Sequence, residues 1–540
     1  MVWFNCLINS VKLLFGYQRA STECRVNSDE ATPVPIPNTE VKLVRAQSSY
    51  RNACCKVRSM RCNSPVWVFF FAQPTTLTIA LIRVNYPHRI CLPTDSIIII
   101  KQVYEGEMTE TLLKKKLNLN DQFLLNLKNY QEIFWKNPNY GDELPDLDVN
   151  RETIFQANRR LERFAPYLES VFSDTKRSKG IIESPIQRMD SIKDLLSVKG
   201  SLLIKRDDLM PVSGSIKSRG GIYEVLCFAE KIAIENGFDL KKDNYQDLRK
   251  DKYRKLFNQW RIEVASTGNL GLSVGLMAST LGFKARIHMS HDATDWKINK
   301  LLQNGVEVKI YDDNFSNAVA AARVSSQRDP YSYFIDDEGS KLLFAGYATA
   351  GERVKKQLSK MQIEVSKEHP LVVYLPAGVG GSPSGVAFGL KLQFADAVIP
   401  IFVEPTHMPS VLLGMASGLN HDISVYDIGI DGKTAADGLA VGRPSMIAGK
   451  YMKDKLFGIA TVSDSDMFAY QGMLKKLENI EVEPSAAVGI RGLIQSKEIS
   501  EIPDSATHMV WATGGSMVPK NTMHKYEDKA VRIFNTWKSE

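Results

Sequence analysis

Short, almost purely apolar runs alternate with stretches of helical spacing along most of the chain. The runs at 201–206 (SLLIKR), 261–266 (RIEVAS), 285–290 (ARIHMS), 306–312 (VEVKIYD), 371–377 (LVVYLPA), 400–405 (PIFVEP) and 508–513 (HMVWAT) predict buried strands. Helical patterns follow at 269–282 (NLGLSVGLMASTLG), 296–305 (WKINKLLQNG) and 385–395 (GVAFGLKLQFA). Strand–helix repetition of this kind predicts an α/β fold built on parallel sheets covered on both faces. The polar, charge-rich stretch 243–255 reads as a surface link, and no internal repeat is visible.

The first 107 residues have a different character. They mix Pro-rich patches, scattered Arg and one apolar run at 66–82 that Gln73, Pro74 and three threonines interrupt. A membrane span wants about 20 mostly apolar residues, so a membrane role is not expected. The segment is basic, which leaves an organelle-targeting role open, although acidic residues at 23, 29 and 30 spoil that pattern. It reads as a poorly ordered extension, and Met108 opens a stretch that resembles an amino terminus.

Charge and cysteine follow the same division. The net charge of +7 divides into +5 for residues 1–107 and +2 for the remaining 433. The body is thus close to neutral, without a basic stripe to track phosphates, and nucleic acid is not an expected partner. Six of seven cysteines lie before residue 92, and only Cys227 lies beyond. A body with one cysteine suits a reducing, cytoplasmic setting, and without CxxC pairs no metal site is expected.

The candidate chemistry sits where strands end. Lys217 lies between a PVSGS turn and an RGG helix start, a frame that can point an amine into a pocket. Residues 378–385 (GVGGSPSG) follow the 371–377 strand, and such glycines let backbone N–H groups approach an anion at a helix start. The third glycine of a dinucleotide fingerprint would fall at Pro383, and no GK[ST] follows, so neither that motif nor a P-loop fits. Ser266, Thr267, Gly268 and Asn269 form a second loop that either caps a helix or cradles a carboxylate. Thr513 opens a third loop, TGGS. An amine, a phosphate cradle, a carboxylate cradle and a hydroxyl for a ring nitrogen together suit pyridoxal 5'-phosphate and an amino acid.

These segments also carry a resemblance. SGSIKSRGGIYEVL (213–226), STGNLGLSVG (266–275), YLPAGVGGSPSGVAFGLKL (374–392), TAADGLAVGRPS (434–445) and VWATGGSMVP (510–519), with FIDDE at 334–338, resemble the bacterial-type D-serine dehydratases, pyridoxal-phosphate enzymes of fold type II. The likeness spans roughly residues 108–526. It implies two parallel-sheet α/β domains with the cofactor in the cleft between them: a larger one from 108–255 and 350–530 and a smaller one from 256–349. It implies Lys217 as the Schiff-base lysine, phosphate binding by Gly378, Val379, Gly380, Gly381 and Ser382, and Asn269 on the ring hydroxyl oxygen. Thr513 would face the ring nitrogen, and Ser266, Thr267 and Gly268 would receive the substrate carboxylate.

The implied reaction is β-elimination of D-serine. Loss of the Cα proton and the β-hydroxyl would leave an aminoacrylate, which hydrolyses to pyruvate and ammonia. A monomer and a monovalent cation are further implications. The residues alone leave two alternatives, a lyase for L-serine or L-threonine and a non-catalytic pyridoxal-phosphate binder. The sequence departs from the family pattern at Ser382, Ser384 and Ser516, where glycine is usual. A β-carbon at 382 or 384 would shift the loop if the backbone there required positive φ.

Overall fold

A computed structural model describes residues 53–56, 68–73, 76–81, 117, 119–141, 148–266, 268–291, 293–312 and 315–539. The chain divides into two units, residues 1–106 and 107–540.

In the first unit, strands β1 (Ala53–Lys56), β2 (Val68–Gln73) and β3 (Thr76–Leu81) form an antiparallel sheet in that order. The apolar run at 66–82 therefore contributes two strands. Among the described residues, no helix is long and apolar enough to cross a membrane. The other features expected in residues 1–107 lie outside the described residues.

Among the described residues, the second unit contains two sheets. The larger uses β4 (Phe134–Lys136), β5 (Ile186–Arg188), β6 (Leu202–Arg206), β11 (Leu371–Pro376), β12 (Val398–Pro405), β13 (Gly458–Val462) and β14 (Thr507–Ala512), ordered β4-β13-β12-β11-β14-β6-β5. Its five central strands are parallel, and the short β4 and β5 close the edges antiparallel. Every residue of those five is buried, which is why β11, β12 and β14 read as largely apolar runs. The smaller sheet, β10-β7-β8-β9, is wholly parallel and uses β7 (Arg261–Ala265), β8 (Lys284–Ser290), β9 (Glu307–Tyr311) and β10 (Ser332–Ile335).

Two expectations need correcting. Residues 243–255 are more than a surface link: a 3-10 turn, Tyr245–Arg249, leads into a helix, Asp251–Phe257, and Tyr245, Leu248, Tyr253 and Phe257 are buried. The charged majority of that stretch masks a narrow apolar face. The helix expected from residue 385 begins earlier, spanning Gly381–Phe394, so half of the glycine loop is its first turn.

A buried charge cluster seats the helix Lys217–Glu235 against the larger sheet. Arg219 donates to both oxygens of Asp207 (2.7 and 2.8 Å) and to Glu183 (2.5 and 3.0 Å), while the Trp511 indole of β14 donates to Asp207 at 2.8 Å. Lys205 of β6 also donates to Glu183, at 2.7 Å. Although burial disfavours the Glu183 carboxylate, Arg219 and Lys205 hold its pKa well below the usual range. Breaking such a buried network by removing one partner costs about 3–5 kcal/mol.

Candidate active site

The parallel order decides what meets at the sheet's carboxyl edge. Strands β11, β14 and β6 are neighbours, and from their ends run the glycine loop, Thr513 and the segment leading to Lys217. Facing them, β7 of the smaller sheet ends at the 266–269 loop and β10 ends just before Asp336 and Asp337. Ligands bind at such carboxyl edges, where loops and helix starts converge. One cavity is lined by Lys217, Ser266, Gly268, Asn269, Gly378, Val379, Gly380, Ser382 and Thr513. Gly381 opens the helix behind the loop. Thr267 lies outside the described residues.

Lys217 is the first residue of its helix, and its side chain is 17% exposed. A backbone bond from Ile216 N–H to the Thr513 carbonyl (2.8 Å) and a bridge between Ser215 and Gly514 pin the preceding turn to the third loop. Ser213 adds hydroxyl contacts to Ser218 (2.7 Å) and Ser273 (2.5 Å), tying that turn to the helix Asn269–Leu281. The Lys217 Nζ lies 3.8 Å from Asp337 Oδ2 and 5.6 Å from the centre of the Tyr347 ring.

In the glycine loop, Gly380 takes φ +96°, where only glycine is free of strain. Ser382 and Ser384 are absent from the positive-φ residues, so their β-carbons fit the loop as it stands. The helix it opens packs backbone-close on the helix Lys341–Ala348: a β-carbon at Gly385 would lie 2.6 Å from Tyr347 Cβ. In the second loop, Ser266 Oγ accepts from the N–H groups of Gly268 (3.2 Å) and Gly271 (3.1 Å), the capping role open to it.

Several residues here carry no expectation from the sequence. Asp337 lines the cavity, and among the described residues its buried Oδ1 has no hydrogen-bond partner. Glu483 accepts from the Asn269 amide at 2.9 Å, and burial pushes its carboxyl pKa up. Lys297 is buried and paired with Asp437, which also lines the cavity. Asp337 and Asp437 fall within FIDDE and TAADGLAVGR, so their signal lay in segments the resemblance had already singled out. Glu483 and Lys297 lie outside those segments.

The donor set fits pyridoxal phosphate. A lysine amine enters the cavity, a helix start with open glycine backbone offers N–H groups for a phosphate, and Asn269 and Thr513 offer polar groups to a ring. Among the described residues, the buried Asp337 Oδ1 in the cavity wall has no hydrogen-bond partner, so protein contacts alone leave it unsatisfied.

Comparison with known proteins agrees. The family described as pyridoxal-phosphate dependent enzyme matches residues 177–514. A "Probable D-serine dehydratase" of Pediococcus pentosaceus is 54% identical over 409 residues, covering 74% of this chain and 94% of its own. The D-serine dehydratase of Yersinia enterocolitica is 47% identical over 430 residues, covering 76% and 97%. Among solved structures, holo diaminopropionate ammonia lyase from Escherichia coli shares the fold, with a TM-score of 0.59 at 19% identity over 74% of this chain and 96% of that one. The chain therefore belongs to the pyridoxal-phosphate dependent enzymes of fold type II, within the D-serine dehydratase family.

Proposed function

We propose that this chain eliminates water from D-serine, using pyridoxal phosphate, and yields pyruvate and ammonia. The observation that carries the reading is the Lys217 amine in one cavity with the glycine loop, Asn269, Thr513 and the Asp337 carboxylate. Lys217 would hold the cofactor's aldehyde, and Gly378, Val379, Gly380, Gly381 and Ser382 would hold its phosphate. Asn269 would donate to the ring hydroxyl oxygen, and Ser266, Thr267 and Gly268 would receive the substrate carboxylate. When bound, the cofactor supplies an electron sink conjugated to the substrate Cα.

Lys217 would accept the Cα proton at Nζ. The Lys217 ammonium so formed, with the Asp337 carboxylate 3.8 Å away, would donate that proton to the departing β-hydroxyl, which leaves as water. The dehydrated amino acid takes up one water on release and gives pyruvate and ammonia, so the atoms balance. Thr513 would offer the ring nitrogen a hydroxyl, which, unlike a carboxylate, would not hold a proton there. The electron sink would then be moderate, which suits expulsion of a β-substituent over transamination. A monomer working in the cytoplasm belongs to the same reading; a single cysteine, Cys227, among residues 108–540 supports the reducing setting.

Pyruvate release from D-serine but not L-serine tests the reading, and release from L-serine or L-threonine alone would replace it. Borohydride reduction followed by peptide mapping tests the cofactor bond. Label at Lys217 without turnover would instead favour a non-catalytic binder.

A further inference from the structure

We infer that the buried Lys297 ammonium supplies the positive charge that positions the substrate carboxylate at the 266–269 loop. This deepens the D-serine reading above and rests on it. The charge balance of the cavity raises the question. Its walls carry one lysine, Lys217, against Asp336, Asp337, Glu338, Asp437 and Glu483. An amino acid bound there brings a further carboxylate, beside a phosphate.

The loop that would take the carboxylate has already committed some of its donors. The N–H groups of Gly268 and Gly271 are engaged by Ser266 Oγ. A cation nearby is what the loop needs, since a charge-assisted contact is about twice as strong as a neutral one. Lys297 meets that need. It lies on the helix Asp295–Gln303 after β8, with its side chain 2% exposed. A β-carbon added to Gly268 would lie 3.9 Å from its Nζ, so the charge stands directly at the loop. Burial disfavours the ammonium, but Asp437 and Glu483 more than offset that penalty and hold it charged.

A plainer role is a latch. Asp437 opens the turn Asp437–Leu439, and Leu439 packs on the glycine loop: a β-carbon at Gly378 would lie 2.9 Å from Leu439 Cα. The Lys297–Asp437 pair therefore ties the helix after β8 of the smaller sheet to the loop that follows β11 of the larger. The two roles differ in which ligands they affect. For a latch, removing Lys297 weakens binding of every ligand of the cavity. For a charge aimed at the carboxylate, removing Lys297 weakens D-serine binding and leaves a ligand without a carboxylate unaffected.

The test is steady-state pyruvate release from D-serine by the cofactor-loaded full chain and its variants Lys297→Met, Lys297→Gln and Lys297→Arg. Lys297→Met is expected to raise KM at least fivefold, with kcat and cofactor affinity within threefold of the unaltered chain. Lys297→Arg is expected to restore KM. D-serinamide, which lacks the carboxylate, is expected to inhibit the unaltered chain and Lys297→Met equally. A smaller KM change in Lys297→Met overturns the inference, as does weaker inhibition of that variant by D-serinamide. Should Lys297→Met fail to fold, Lys297→Gln is judged by the same two criteria. An unaltered chain without D-serine turnover overturns the D-serine reading and this inference with it, whereas an active one with the wrong KM pattern overturns only the inference.

Discussion

The Asn269 side-chain amide donates to Glu483 Oε1 at 2.9 Å, fixing the direction of an amide that opens the helix Asn269–Leu281 at the cavity wall. Glu483 in turn packs against the third loop, where a β-carbon at Gly514 would lie 2.6 Å from its Oε1. One carboxyl therefore sets the distance between the second and third loops.

Glu483→Ala is expected to weaken pyridoxal-phosphate binding about 3–10-fold, because a freed amide forfeits roughly one net hydrogen bond of about 0.5–1.5 kcal/mol. Glu483→Gln keeps an acceptor in place and should stay within about threefold. Titrating the cofactor-free chain and following the bound absorbance measures both. Equal losses in the two variants would show that the charge, rather than the acceptor, matters.

Asp337 is expected to act on the leaving group through the Lys217 ammonium, which it faces at 3.8 Å. A positioned general acid contributes about 10²–10⁴-fold, so Asp337→Asn, which removes the charge that supports this one, should lower kcat for D-serine by up to that order while borohydride still labels Lys217. A substrate such as β-chloro-D-alanine, whose leaving group needs no proton, should recover most of the loss. Comparing kcat for the two substrates separates proton donation from simple damage to the site.

Gly385→Ala tests the backbone-close packing behind the glycine loop. In an open helix this change stabilises by about 0.5–1 kcal/mol. Here the new β-carbon would meet Tyr347 Cβ at 2.6 Å and the Phe344 carbonyl oxygen at 2.8 Å. Overpacking costs about 1–3 kcal/mol, so the melting temperature should fall instead of rise.

Glu224 gives stability a pH dependence. It is buried on the helix Lys217–Glu235, accepts from the Tyr333 hydroxyl at 2.9 Å and from Ser340, and burial pushes its pKa up to about 7. Unfolded, the same carboxyl titrates near 4.5. Below that value both states hold the proton and Glu224 imposes no penalty. From there to about 7 only the folded state keeps the proton, so stability falls as pH rises, by an amount on the order of 3 kcal/mol in all. Glu224→Gln removes that penalty. Its melting temperature should exceed that of the unaltered chain at pH 8 by clearly more than at pH 5.

Much of the fold was legible because its parallel strands are buried on both faces, leaving apolar runs such as those of β11, β12 and β14. Strands β4, β5, β10 and β13 were missed, because they are short or, like GIATV of β13, built from small residues that carry no apolar run. The stretch 243–255 misled in the other direction, since its buried Tyr and Leu are outnumbered by charges.

For the site, the sequence by itself determined the residue types whose chemistry or backbone freedom is local: a lysine after a turn, a glycine loop at a helix start, hydroxyls and an amide at strand ends. Those signals lie within a few neighbouring residues and need no fold to be read. Only the tertiary structure decided which groups complete them. Glu483 reaches Asn269 across 214 positions, and Lys297 meets Asp437 across 140. Such partners come from different sheets: Asn269 and Lys297 follow β7 and β8 of the smaller one, whereas Asp437 lies between β12 and β13 and Glu483 between β13 and β14 of the larger. A carboxylate or ammonium looks the same in a sequence whether it ends in water or against a distant charge, because burial and proximity exist only once the sheets have closed around it.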